Sequence, residues 1–300
     1  MLRVRRCLFS SVKYTQSVAQ LAGDVQCGAK HSLVRQQGWI LAVINQKGGV
    51  GKTTTAVNLA VGLAQGGEPT LLVDADPQAN ATSGLGLDPR TAPRNLFQWI
   101  QDRLAHSSGD FDDPPVLETT RHNLHLIPAS IDLAGVDVML ASRIARETIL
   151  KSLLSPLQER YRWIVIDTPP SLGILTINAL TAADGLIVPV QCEYYALEGL
   201  SQLLQTIDLV RQHLNPRVEI WKVLLTMHDS RTRLAEQVEQ EVRKFFGAKV
   251  ARSVIPRNIR VSESPSFGQS VLEYDPRSRG AQAYLEFVEE VKAYAASCTG

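Results

Sequence analysis

From Trp39 onward the chain alternates between short apolar runs and stretches whose apolar positions recur every three or four residues. The runs are "WILAVIN" (39–45), "TLLVDAD" (70–76), "LHLIPA" (124–129), "WIVIDT" (163–168), "GLIVPV" (185–190), "EIWKVLLTM" (219–227) and "ARSVIP" (251–256). Several are apolar throughout, the pattern of strands covered on both faces. Helical periodicity marks 53–65, 145–160, 196–214, 231–246 and 279–296. Strand–helix alternation of this kind predicts an α/β fold, one domain with a doubly wound, mostly parallel sheet and right-handed crossovers. Residues 86–122, interrupted by Pro89, Pro93, Pro114 and Pro115, are expected to form a loop-rich excursion. No internal repeat or low-complexity block appears.

Composition changes this picture little. Hydrophobic residues make up 44% of the chain and charged residues 20%, as in an ordinary globular protein with a sizeable core. The formal net charge of +1 points to no partner class, so any basic surface must come from local clustering. Cys7, Cys27, Cys192 and Cys298 have no CxxC spacing, which argues against a zinc site or a disulfide framework and fits a reducing cytosol. No run of about 18 apolar residues appears, so no membrane span is expected. Residues 1–38 stand apart, with Arg3, Arg5, Arg6, Lys13, Lys30 and Arg35 against the single acid Asp24. They read as a disordered tail or a misassigned start, with an organellar targeting segment as the alternative. The remaining 39–300 then form the folded domain.

Chemistry enters at "GGVGKTT" (48–54), which follows an apolar run and opens a helical one. That context marks a P-loop of the NTPase kind. Gly48, Gly49 and Gly51, with Val50 between them, let backbone amides crowd a phosphate, and the helix start adds its positive dipole end. Lys52 is placed to reach the β- and γ-phosphates of a nucleotide, and the Thr53 hydroxyl to coordinate Mg²⁺, with Thr54 in the same turn. Three acids end apolar runs: Asp74 and Asp76 in "LLVDADPQ", and Asp167 in "WIVIDTPP". Strand carboxyl ends face the ligand crevice of an open α/β sheet, so all three can converge on the loop. Asp167 fits a metal-holding role, while Asp74 and Asp76 remain joint candidates for the metal shell and for orienting the attacking water. Helix capping or turn formation is the structural alternative for each.

The loop "KGGVGKTTT" resembles the deviant Walker A loop of the ParA/MinD ATPases, which carries a second lysine, here Lys47, ahead of the glycines. The resemblance runs from about 39 to 295. The stretches "VDADPQANATSGLG", "PPSLGILTINAL", "PVQCEYYALEGLSQLL", "IPRN" and "YDPRSRGAQAY" are similar to the chromosomal ParA, or Soj, branch. Ala79 stands where relatives usually carry glycine, and residues 1–38 have no counterpart there. The resemblance implies an ATP-dependent homodimer in which Lys47 crosses to the partner's nucleotide and Gly48 lets two backbones approach. It also implies that Asp76 positions the water and that Pro256 and Asn258 hold the adenine. A nucleoid-associated, cytoplasmic ATPase with slow turnover, released from DNA by a ParB-type centromere-binding protein, is the function it carries.

Residues 230–280 hold eight arginines and two lysines against six acids. Such a run is ordinarily a solvated face. Read functionally, it predicts a sequence-independent surface for double-stranded DNA. By resemblance Arg231 and Arg260 lead, with Arg243, Lys244, Lys249 and Arg252 as further candidates. No helix-turn-helix pattern precedes the loop. A membrane-positioning ATPase of the MinD kind is disfavoured because the last helix places Glu286, Glu289 and Glu290 against one lysine, Lys292. An iron–sulfur protein is disfavoured because Cys192 alone lies deep in the domain, where an inert thiol is expected. A metabolic P-loop enzyme stays open.

Overall fold

The chain is described here by a computed structural model covering residues 37–105, 113–193 and 198–299. The expectations for the amino-terminal tail fall almost wholly outside these residues. Each predicted strand forms: Trp39–Val43 (β1), Thr70–Asp74 (β2), Leu124–Ile127 (β4), Trp163–Asp167 (β5), Gly185–Gln191 (β6), Glu219–His228 (β7) and Val250–Pro256 (β8). Leu117–Glu118 (β3) adds a two-residue edge that no apolar run announced. The sheet order is β3-β4-β2-β5-β1-β6-β7-β8, antiparallel only between β3 and β4. Every position of β1, β2 and β5 is buried, which accounts for their unbroken apolar runs.

Alternate residues of each strand face opposite cores. Ile40, Ala42 and Ile44 join the core under Leu96–Ala105 (α2), Ile149–Leu154 (α3), Ile174–Ala182 (α4), Glu198–His213 (α5) and Arg233–Phe246 (α6). Trp39, Leu41 and Val43 join the core under Lys52–Gln65 (α1) and Arg279–Thr299 (α7). The doubly wound expectation holds.

Three local expectations are corrected. The excursion 86–122 contains α2, whose Leu96, Trp99 and Ile100 fill the core at helical spacing. The stretch 145–160 is not one helix: 3₁₀ turns at Arg146–Thr148 and Ser155–Glu159 flank α3. Pro156 in the first turn of the second has no N–H to continue an α-helix. Finally, Glu290 is not on a polar face of α7. It is buried, accepting from the amides of Arg252 (2.9 Å) and Ser253 (2.7 Å) and from the Ser253 hydroxyl (2.6 Å), and so ties α7 to β8.

What matters for the site is where strands end. Val43, Asp167 and Asp74 are neighbours in register across β1, β5 and β2, so the loop after β1 and the acids of β2 and β5 share one rim.

Candidate functional site

The loop between β1 and α1 is held from two sides. Asn45 accepts from the Lys47 amide at 3.0 Å and donates its side-chain amide to the Pro189 carbonyl at 2.8 Å, tying the loop to β6. Thr226 of β7 donates to the Val50 carbonyl at 2.9 Å. Gly49 and Gly51 have φ of 74° and 88°, left-handed angles that favour glycine. Gly48 is different: a Cβ there would meet only Pro170 Cβ, at an ordinary 3.9 Å. Nothing among the described residues of the protomer demands glycine at 48.

Gly51 supplies no side-chain cap to α1, so the first amides of a 14-residue helix, from Lys52, Thr53 and Thr54 onward, lack that partner. Lys52 is buried beside them and donates its ammonium to the Lys47 carbonyl at 3.1 Å. Burial lowers its pKa, while Asp167 and Asp76 pull the other way. Removing an ammonium from water in this way is costly unless anionic oxygens complete its shell.

The three acids are brought together but not into equal roles. Asp74 is fully buried with both oxygens engaged: one accepts from the Asp76 amide at 3.2 Å, the other from the Thr82 amide at 2.8 Å and hydroxyl at 2.7 Å. Its pKa is pushed up to about 6 by burial, against those hydrogen bonds. Asp167 is equally buried, yet among the described residues neither oxygen has a hydrogen-bond partner of good geometry. Burial first, then the charge of Asp74, raises its pKa well above the usual carboxylate range, while the Thr53 hydroxyl favours the charged form. Asp76 receives the Gln78 amide at 2.9 Å. A buried acid with two vacant acceptors, a threonine hydroxyl beside it and further acids nearby fits Mg²⁺, which takes one or two protein oxygens and completes its shell with phosphates and water. The residues fit the ion, which Asp167 and Thr53 would hold. Asp74, a candidate for the metal shell, has both oxygens engaged by the turn that carries Asp76 and by Thr82.

Pro256 closes β8 opposite His228 of β7, on the same rim as Thr226 and the loop. Asn258 caps the short turn Ile259–Glu263 through the Arg260 amide at 2.8 Å. Of the predicted DNA residues, Arg231 and Arg260 follow the carboxyl ends of β7 and β8 and are exposed. Arg231 is held by Asp229, and Arg260 by Glu263 and Asp275. The others lie elsewhere. Arg243 and Lys244 occupy the last turn of α6, Lys249 precedes β8, and Arg252 projects from the first half of that strand. Arg243 bonds Glu239 and the Ala251 carbonyl, and burial lowers the Lys249 pKa. The six residues do not form one patch.

Besides Asn45, two residues of the site carried no signal of their own. Thr82, inside "VDADPQANATSGLG", holds Asp74, and Glu193, inside "PVQCEYYALEGL", pairs with Lys47 at 3.3 Å. Cys192, between Glu193 and β6, is buried with its thiol pushed up to about 12, chiefly by desolvation. No helix among the described residues is long and apolar enough to cross a membrane.

Comparison with known proteins gives the family. A family model described as an AAA domain matches residues 38–220. The sporulation initiation inhibitor protein Soj of Bacillus subtilis is 54% identical over 260 residues, 85% of this chain and 99% of the relative. The chromosome partitioning protein ParA of Caulobacter vibrioides is 50% identical over 254 residues, 84% and 93% of the two chains. Among solved structures, a cobyrinic acid a,c-diamide synthase from Mycobacterium smegmatis with bound ADP and magnesium superposes with a TM-score of 0.74 at 37% identity, covering 86% of this chain and 96% of its own. The loop, the paired acids and the extent of these matches place the chain in the ParA/MinD family of deviant Walker A ATPases, in its Soj branch.

Proposed function

We propose that this chain is a DNA-partitioning ATPase that pairs on binding ATP and Mg²⁺, coats DNA without sequence preference and is released on hydrolysis. One observation carries the reading. Lys52 alone serves the loop of its own protomer, whereas the Lys47 ammonium lies at the rim, half-exposed and bonded to Glu193. A second ammonium that does not serve its own site is suited to serve a neighbour's, and the unfilled space at Gly48 leaves room for that approach.

In this reading Lys52, the loop amides and the start of α1 bind the triphosphate. Thr53 and Asp167 hold Mg²⁺, which neutralises phosphate charge. Asp76 orients the attacking water, and Asp74, held by Thr82, fixes the turn beneath it. Pro256 and Asn258 flank the adenine. Lys47 adds positive charge across the interface, making pairing conditional on ATP. Basal turnover is slow, and a ParB-type centromere-binding protein accelerates it. The domain spans 39–300 and works in the cytoplasm on the nucleoid. The high identity to Soj and ParA over nearly their whole length supports the role.

Membrane binding is not part of the reading, because α7 packs Tyr284, Phe287, Val288 and Val291 inward and leaves Glu286 and Glu289 outside. A metabolic P-loop enzyme is favoured by one observation, the name of the Mycobacterium smegmatis structure. The deciding experiment is DNA binding with ATP, ADP and no nucleotide at two salt concentrations. Binding that requires ATP and weakens with salt supports partition, and binding indifferent to both excludes it.

A further inference from the structure

Resting on that reading, we infer that Glu193 is a positioning residue that parks Lys47 on its own protomer until a nucleotide-loaded partner arrives. Its carboxylate oxygens are divided between two donors. One accepts from the Gln191 side-chain amide at 2.6 Å, and the other lies 3.3 Å from the Lys47 ammonium. Gln191 ends β6, so the acceptor is built on the sheet and meets the loop from the strand beside β1. The Lys47 backbone is fixed independently, its amide by Asn45 and its carbonyl by Lys52. Only the side chain is free to exchange partners, and Glu193 is the acidic group it touches.

Two arrangements of Lys47 therefore compete. In the unpaired protomer the ammonium satisfies Glu193; in the pair it leaves for the partner's phosphates. Each parked contact must break, so the ion pair stabilises the monomer twice per dimer formed. Because the side chains are 36% and 51% exposed, each pair is of the weak, solvent-screened kind. That suits a latch that phosphate must displace. It also withholds Lys47 from unloaded neighbours and raises the ATP requirement for assembly.

The test is dimerisation of the full chain, followed by sedimentation with a non-hydrolysable ATP analogue and Mg²⁺. The variants are Glu193→Gln, which keeps the shape and removes the charge, and Glu193→Asp, which keeps the charge. Glu193→Gln should pair at about tenfold lower protein concentration than wild type, from the loss of two weak ion pairs. Glu193→Asp should stay near wild type. Unchanged or weakened pairing in Glu193→Gln overturns the latch. Lys47→Ala, run alongside, separates the failures. If that variant still forms pairs, the reading beneath is wrong; if it does not while Glu193→Gln matches wild type, only the latch is wrong.

Discussion

The Lys52 ammonium donates to the backbone carbonyl of Lys47 at 3.1 Å, so the two lysines of the loop are joined through the main chain of one and the side chain of the other. The contact survives any substitution of the Lys47 side chain that leaves its backbone in place. Lys47→Ala should therefore bind ATP or ADP within a few-fold of wild type, since Lys52, the loop amides and Thr53 are untouched. ATP-dependent dimers should be lost. Calorimetric titration checks the first outcome and sedimentation the second. Dimers that form unchanged would remove Lys47 from the interface.

Asp74 and Asp167 are neighbours on β2 and β5, equally buried, and separable by mutation because their oxygens are differently occupied. Asp167→Asn should fold and bind nucleotide, yet lose Mg²⁺-dependent hydrolysis by about a hundredfold or more, since metal neutralisation contributes several kcal/mol to such steps. Asp74→Ala should act first on stability, because it strands the Thr82 amide and hydroxyl in the core at a cost of about 1–3 kcal/mol per group. Denaturant melts and steady-state hydrolysis across Mg²⁺ concentrations distinguish the two. Equal loss of stability in both variants would contradict the assignment.

The fold was legible because the strands that position the site are buried on both faces. Apolar runs such as 163–167 have no other use, and a glycine loop after one of them fixes the rim. Legibility failed where periodicity was absent or punctuated. Helix α4 buries residues all round, Leu175, Thr176, Asn178, Ala179 and Thr181 among them, and so shows no stripe. Prolines around α2 masked its Leu96, Trp99 and Ile100. At the site, lysines, glycines and acids were readable because loop chemistry demands those residue types. Asn45 and Glu193 were not, because their roles depend on long-range contacts: the Asn45 amide reaches Pro189, and Glu193 reaches Lys47 across 146 residues. Thr82 was not, because nothing in its residue type marks the hydrogen bonds it gives Asp74. Glu290 misled for the same reason. A glutamate next to exposed Glu289 looks solvated until β8 supplies two amides and a hydroxyl.

Asp74 gives the apo protein a pH signature. Its folded pKa, about 6, lies above the 3.8 of an aspartate free in water, so between those values the folded state holds a proton that the unfolded chain has released. Stabilisation from that proton is present below about pH 4 and is lost as pH rises through 6, roughly 3 kcal/mol in all. Asp167, also raised, adds to the trend in the same direction. Wild type in EDTA without nucleotide should lose more stability between pH 5 and 7.5 than Asp74→Asn, which cannot ionise there. Chemical denaturation at the two pH values measures the difference. An identical pH response in the two proteins would show that Asp74 does not hold its proton.

The basic residues divide by what holds them. Arg231 and Arg260 are exposed at the carboxyl rim and bonded to partly exposed carboxylates, Asp229 for the first and Glu263 and Asp275 for the second. Such contacts are readily exchanged for phosphate oxygens of the same geometry. Arg243 donates to a backbone carbonyl as well as to Glu239, and its release would cost a fold contact. Arg231→Ala and Arg260→Ala should each weaken ATP-dependent binding to a random duplex and reduce the salt slope by about 0.9 per phosphate contact removed. Asp229→Asn should free Arg231 and strengthen binding a few-fold. Arg243→Ala should leave the salt slope unchanged and lower stability by about 1 kcal/mol. Fluorescence anisotropy over a salt series reads all four. A slope that falls in Arg243→Ala and not in Arg231→Ala or Arg260→Ala would move the DNA surface from the carboxyl rim to the end of α6.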